Sequence, residues 1–436
     1  MATSRKIMLI SLGGVVVLLS LIAVAVIYLV NADAYKPSLQ TAASEALGME
    51  VTIKGRVGIS LFPDVALSMN DVHLRNHGKE LMVVEKLRLG LETLALLQQR
   101  VQITNISLIH PKITIERGVD GRYNFDGPQT AATPPPDVSL AQLTVSGGVL
   151  QYADRQSGWV LAAADCSLNL RNLVLAGAGA DRVKNLSFAA KLHCGKIGTE
   201  GYAASDLTLS VKANKGIFVA KPITLKFLGG DGSASMQADY SGKNPRYHLR
   251  FSLPRFRIEQ LVKTQSQEAV VAGPMALSMD LSLQCFYFQQ LKQSVSGEVA
   301  LRGKDLELKG YDLDKEFSRF ESSQNFSLLD MGALFSAGPV GMAVTKGYDF
   351  ANVLTGSGGV SAIHTFVSSW RVKRGVMHAQ DVAMATKEHR MALLGDLDIA
   401  RERFSDVTLA LINHKGCAEV KQKISGPFAK PVVEQP

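Results

Sequence analysis

Residues 277–285 read LSMDLSLQC. Leu277, Met279, Leu281, Leu283 and Cys285 alternate with Ser278, Asp280, Ser282 and Gln284. Side chains of an extended strand point to opposite faces in turn, so this run predicts a strand with one apolar and one polar face. The same period recurs on either side. Tyr247, Leu249, Phe251 and Leu253 share a face, as do Ile223, Leu225 and Phe227, and Leu207, Leu209 and Val211. Leu168 and Leu170, and then Ala190 and Leu192, repeat it earlier; Val407, Leu409 and Leu411 repeat it later. Near the start, Val51, Ile53, Val57, Ile59 and Leu61 alternate with polar or small residues. Phe62-Pro63-Asp64 then makes a turn, and Val65, Leu67 and Met69 begin a return strand. Val101–Leu108 and Lys112–Arg117 are further strands, followed by an Asp120-Gly121 turn.

Helical periods are few. Over Tyr35–Leu47, Tyr35, Leu39, Ala43 and Leu47 fall on one face, Pro37 suits the first turn and Gly48 supplies a stop. Shorter helical stretches are expected at Glu92–Gln99, Arg257–Gln267, Phe326–Phe335 and Ser361–Trp370. The fold class is therefore mainly β, with consecutive amphipathic strands forming an antiparallel meander. Such a sheet hides its apolar face in one of three ways: as a sandwich, as a closed barrel, or as a curled sheet whose inner face meets a greasy ligand. Periodicity does not choose among them. A lipid-facing barrel is disfavoured, because most runs show three to five apolar alternations and the aromatics show no girdle spacing.

Ahead of the strands lies Ile7–Val30, which holds no charged residue. At ~1.5 Å per residue it would span roughly 36 Å as a helix, against a hydrocarbon core of about 30 Å. Arg5 and Lys6 precede it, which places residues 1–6 in the cytoplasm and the remainder across the membrane. A cleaved signal is the alternative, since Ala32-Asp33-Ala34 has the form of a cleavage site. A proline-rich linker, residues 129–137, separates a first unit from a β-rich region that runs to residue 436.

The net charge is +8, yet the cations are scattered singly along polar strand faces, which argues for solvated surfaces and against nucleic acid as a partner. The four cysteines contain no C-x-x-C pair, so neither zinc nor a redox motif is indicated. A turn centred near residue 180 would set Cys166 opposite Cys194. That allows a cross-strand disulfide, with two buried thiols as the alternative.

Catalytic signatures do not emerge. There is no H-E-x-x-H, no G-x-S-x-G and no phosphate-binding loop. His73 and His77 are split by a turn at Asn76-His77-Gly78, and Asp312 and Asp314, flanking Leu313, read as solvated or lysine-paired carboxylates. No cofactor, metal site or enzymatic activity is expected.

The run "NADAYKPSLQTAASEALGMEVTIKGRVGISLFPDVALSMNDVHLRN" resembles the start of the AsmA family, with Tyr35-Lys36-Pro37, Leu47-Gly48 and Gly58-x-Ser60-Leu61-Phe62-Pro63. Pro111 and Asp120-Gly121-Arg122-Tyr123-Asn124-Phe125 fit the family's next segment. Gly338-Pro339 and Ile424-Ser425-Gly426-Pro427-Phe428 are similar to its C-terminal part. The resemblance implies an inner-membrane protein facing the periplasm of a Gram-negative bacterium. Residues 31–128 would be a chorein-like unit of the kind that begins bridge-like lipid transfer proteins, and residues 138–436 the C-terminal β-rich region. It also implies the open solution, an elongated, curled antiparallel sheet forming a U-shaped groove for phospholipid in outer-membrane biogenesis. Groove candidates are Ile53, Val57, Ile59, Leu61, Leu67, Ile103, Ile113 and Ile115, with the helix of Tyr35, Leu39, Ala43 and Leu47 at the membrane. Expected partners are phospholipids, the inner membrane, and outer-membrane or periplasmic proteins. A periplasmic assembly factor with a closed sandwich and no lipid is the alternative function.

Overall fold

Gly48 takes φ +64°, a left-handed conformation that costs glycine little, and there the first helix stops. In the computed structural model this helix, α1, spans Lys36–Leu47 and follows a 3-10 turn at Ala32–Tyr35. The structure describes residues 32–62, 64–98, 100, 102–126, 137–177, 181–262, 271–284, 291–310, 312–315, 317–318 and 359–434. The apolar segment Ile7–Val30, nearly all of the proline-rich stretch, Cys285, the helix expected at Phe326–Phe335 and the Gly338-Pro339 motif lie outside them. Among the described residues no helix is long and apolar enough to cross a membrane.

The chain is mainly β and divides into two units. The first runs through Arg182 and includes Ser187–Glu200. Its strands are β1 (Glu50–Ile53), β2 (Val57–Ser60), β3 (Ala66–Asn76), β4 (Lys79–Leu91), β5 (Ile103–Ile109), β6 (Lys112–Arg117), β7 (Val138–Asp154), β8 (Trp159–Leu175) and β9 (Ser187–Thr199). A short helix, α2 (Thr93–Leu97), joins β4 to β5, and α3 (Asp181–Asn185) precedes β9. Strands β1 and β2 both pair antiparallel with β3, which pairs with β4.

The purely antiparallel meander needs one correction. β7 pairs in parallel with β5 and with β6. The cause lies at His110-Pro111, where the chain breaks stride between β5 and β6: His110 has φ +48° and proline has no N–H for the ladder. β7 matches the break with Gly147 at φ +63°, whose added Cβ would collide with the His110 ring. Hydrogen bonds from His110 N–H to the Ser146 carbonyl (2.8 Å) and from Val149 N–H to the Pro111 carbonyl (2.8 Å) bridge the two irregularities. β8 and β9 then extend the sheet antiparallel.

The second unit comprises Val183–Leu186 and Gly201–Pro436. Its main strands are β10 (Tyr202–Asn214), β11 (Ile217–Phe227), β12 (Gly230–Asp239), β13 (Arg246–Arg257), β14 (Val271–Ala272) and β15 (Pro274–Gln284). They continue through β16 (Ser296–Lys309), β17 (Val360–Lys373), β18 (Val376–Ala385), β19 (Arg390–Asp398), β20 (Arg403–Ile412), β21 (Ala418–Pro427) and β22 (Val432–Val433). Successive main strands pair antiparallel, with β13 beside β15. Short helices α4 (Ile258–Val262) and α5 (Leu291–Ser294) interrupt them. The helix expected at Ser361–Trp370 is instead part of β17. Ser361, Ile363, Phe366, Ser368 and Trp370 are buried, and the residues between them are less covered. That is a strand pattern with one irregularity, in a stretch whose serines and β-branched residues weaken helical preference.

Candidate functional site: a half-covered apolar face

Cross-strand partners lie on the same face of a sheet, so the register traces one apolar face through the first unit. Ile53 pairs with Val72, Val57 with Met69 and Ile59 with Leu67. The face passes to β4 through Leu67–Leu89 and Val72–Val84, then to β5 through Leu89–Ile106 and Leu91–Ile103. Met82–Ile113 carries it to β6. Ile106–Leu143 and Ile115–Tyr152 carry it to β7. Val145–Leu168 and Leu168–Leu192 complete it on β8 and β9.

Coverage along this face is uneven. Ile53 and Val57 are buried in a cluster with Val51, Met69, Val72 and Val84, against which Ile59 and Leu67 pack. Leu61, Ile113 and Ile115 are half-buried and Ile103 is exposed. Beyond them Leu143, Val145, Leu150, Leu168 and Leu192 are all half-buried. Sequence reasoning did not assign these later positions to the site. The signal was there, as alternation on either side of Gly147, but the irregularity at Gly147-Gly148 shifts its parity. Cys166 and Cys194 stand opposite one another on this face and are joined as a disulfide.

Helix α1 divides its own apolar stripe. Leu39 and Ala43 pack against the cluster, whereas Tyr35 and Leu47 are exposed. Its polar side chains do a separate job at the open edge of β1 and β2. Val51 N–H donates to Ser44 Oγ (2.9 Å), Ile53 N–H to Gln40 Oε1 (2.7 Å) and Val57 N–H to Asp33 Oδ1 (2.9 Å). Edge N–H groups that would template another chain are thereby occupied. The hydrogen bond from Val57 N–H, helped by the charge of Lys36, holds the Asp33 carboxyl below its ordinary value.

In the second unit the face runs through Leu209–Ile223, Ala220–Met236, Met236–Leu249 and Leu249–Leu281. It continues through Met279–Val299, Val299–Trp370, Met384–Met391 and Leu393–Leu409. From β10 into the first half of β13 it is half-covered: Leu209, Ile223, Leu225 and Leu249 are half-buried and Met236 is exposed, whereas Leu253 and Phe256 at the end of β13 are buried. From β16 to β20 it is closed, with Leu301, Trp370, Met391 and Leu409 all buried in one cluster. Ile258 and Leu261 of α4, and Leu313 and Phe317 from a helical turn, join that cluster.

Charge collects on the opposite face and in the turns. Asp280 accepts from His248 Nε2 (2.6 Å) and from Arg250 Nε (2.9 Å), while neighbouring Leu249 and Leu281 face the other way. The His248 hydrogen bond, with Arg250, keeps the Asp280 carboxyl below its usual range. His73 spans Glu80 (2.6 Å) and Asp71 (2.9 Å), and His77, at φ +49°, sits in the turn. Asp314 receives Thr386 Oγ1 and His389 Nδ1 (2.9 Å), and Asp312 accepts from Lys315 N–H (3.1 Å). These groups pin turns and neighbouring strands. What the opposite face offers a ligand is apolar contact.

No curated protein matches the chain. The sequence profile described as the AsmA family matches residues 1–178, which takes in α1 and strands β1–β8. By this match residues 1–178 are similar to the AsmA family.

Proposed function

We propose that this is an inner-membrane-anchored periplasmic protein that shields the acyl chains of phospholipid on its half-covered sheet faces and so carries lipid between the inner and outer membranes. It performs no covalent chemistry. One observation carries this reading: β6–β9 and β10–β12 each present an apolar face whose large side chains remain partly open to solvent. An ordinary folded core would cover them. AsmA family proteins are generally membrane-associated, and the uncharged run Ile7–Val30 supplies an anchor of suitable length. Leaving a bilayer costs a lipid ~0.8 kcal/mol per exposed CH₂, on the order of 12 kcal/mol for a sixteen-carbon tail. Free diffusion is therefore negligible. A sheet face that covers the tail removes most of that cost and leaves the headgroup in water. The curled, groove-like form of the sheet and the identity of the two membranes belong to this proposal.

The closed cluster of β16–β20 favours a second role for that part of the chain, as a scaffold that docks other envelope proteins and carries no lipid.

The test is lipid analysis of the full chain purified from bacterial membranes in mild detergent, compared with a Leu168→Asp, Leu192→Asp variant. Both proteins carry the same anchor, so detergent-layer lipid cancels. The proposal expects the parent to hold phospholipid that the variant has lost, at similar melting temperature. Equal lipid in two folded proteins would leave the scaffold role standing.

A further inference from the structure

Helix α1 fixes where the apolar N-terminal segment meets the first unit. Its contacts with the sheet run in reverse order: Ser44 to Val51, Gln40 to Ile53 and Asp33 to Val57. The helix is therefore antiparallel to β1 and β2, and Ala32 lies toward the end of the sheet where β2 finishes. One residue separates Ala32 from Val30 in the sequence, so the uncharged run is joined to the described chain at that end of the sheet.

The same end gathers exposed apolar side chains. β3 begins and β4 finishes there, tied by Leu91 N–H donating to the Val65 carbonyl (2.8 Å), and Ile103 pairs with Leu91. Phe62, just past β2, is 87% exposed, and Leu94 of α2 is 68% exposed, although its neighbour Ala95 is buried. Ile103 is also exposed. The opposite end differs. Its exposed Val119 and Trp159 sit among the ion pairs Lys79–Glu116 (3.4 Å), Arg155–Glu116 (3.3 Å) and Arg117–Asp154 (3.2 Å). Those charges resist removal from water.

We propose that the end of the first unit bearing Phe62 and Leu94 is embedded in the headgroup layer of the bilayer that holds Ile7–Val30. This rests on the anchoring in the proposed function. An aromatic ring and a leucine at the interface bury apolar area that the protein itself leaves in water. They also hold the first unit at a fixed height, so that its half-covered face opens next to the lipids. The chain's own covalent attachment selects the occupant: no other partner is obliged to lie beside Ala32.

The test uses the full chain in vesicles of phosphatidylethanolamine and phosphatidylglycerol, with Phe62→Trp and Leu94→Trp made separately. The natural tryptophans, exposed Trp159 at the far end and buried Trp370, provide the background. Each added tryptophan is expected to lose most of its emission when the vesicles carry lipids spin-labelled near the headgroup, while the parent's emission is unchanged. Variants that float with the vesicles and melt like the parent, yet show no added quenching, would overturn the proposal and leave the anchor intact. A parent that does not float with vesicles would overturn the anchoring and this proposal together.

Discussion

Asp71, Asp165, Asp206, Asp305 and Asp406 all lie inside strands at φ values of 50–53°. Each stands where the pairing slips by a residue, as between Ser205 and Thr208 or between Phe404 and Val407. Asp tolerates the left-handed region because its short polar side chain bonds locally, and one extra residue there is a bulge that restores the apolar face. We expect Asp406→Val to destabilise the protein by about 1–3 kcal/mol and Asp406→Asn to be nearly neutral, read from urea unfolding. A harmless valine would show that the bulge is not needed. Asp314 makes a different prediction. Burial alone would raise its carboxyl, but the hydrogen bonds from Thr386 and His389 hold it below the ordinary value. A carboxyl depressed by folding adds stability above its unfolded pKa and loses it as pH falls through the folded value. The stability gap between the parent and Asp314→Asn should be constant near neutrality and shrink below about pH 4. A gap unchanged in acid would contradict the assignment.

At the scale of elements, α1 is both a packing element and an edge guard. Gln40→Ala leaves the Ile53 N–H without its acceptor, at a cost of about 1–3 kcal/mol, and should speed amide exchange at Ile53 more than at Thr52, which faces β3. Equal exchange at both would remove the guard role. The disulfide between Cys166 and Cys194 closes a loop of sequence separation 28. Replacing both cysteines with alanine should cost about 3 kcal/mol in thermal or urea unfolding, and no change would mean that the strand pairing suffices. These elements differ in how legible they were. Helix α1 stood out through Pro37, its apolar spacing and Gly48, all local signals. Strand β6 was bounded correctly at Lys112–Arg117. The parallel placement of β7 was not legible, because it depends on where the chain returns after residue 137. Ser361–Trp370 misled because Ile363, Phe366, Val367 and Trp370 also fit a helical period, and only pairing with β16 and β18 settles the strand.

At the scale of the molecule, two regimes coexist. The β16–β20 face is closed over Trp370, Met391 and Leu409, while β6–β9 and β10–β12 stay half-covered. Alternation alone reads the same in both. The runs around Ile223 and around Leu409 differ only in what lies above the sheet, and that is a tertiary fact. The alternation that gives the strands an apolar face was thus foreseen, but the uneven coverage of those faces was not. The central claim is that acyl chains lie on the half-covered faces. Its most direct measurement places a photoreactive phenylalanine analogue at Leu192, on the apolar face, or at its neighbour Lys191, on the polar face, in the full chain in bacteria. After illumination, mass spectrometry of the purified protein reads the adducts. The account predicts phospholipid joined at 192 and little or none at 191. Equal labelling at both positions, or none at either, would contradict it.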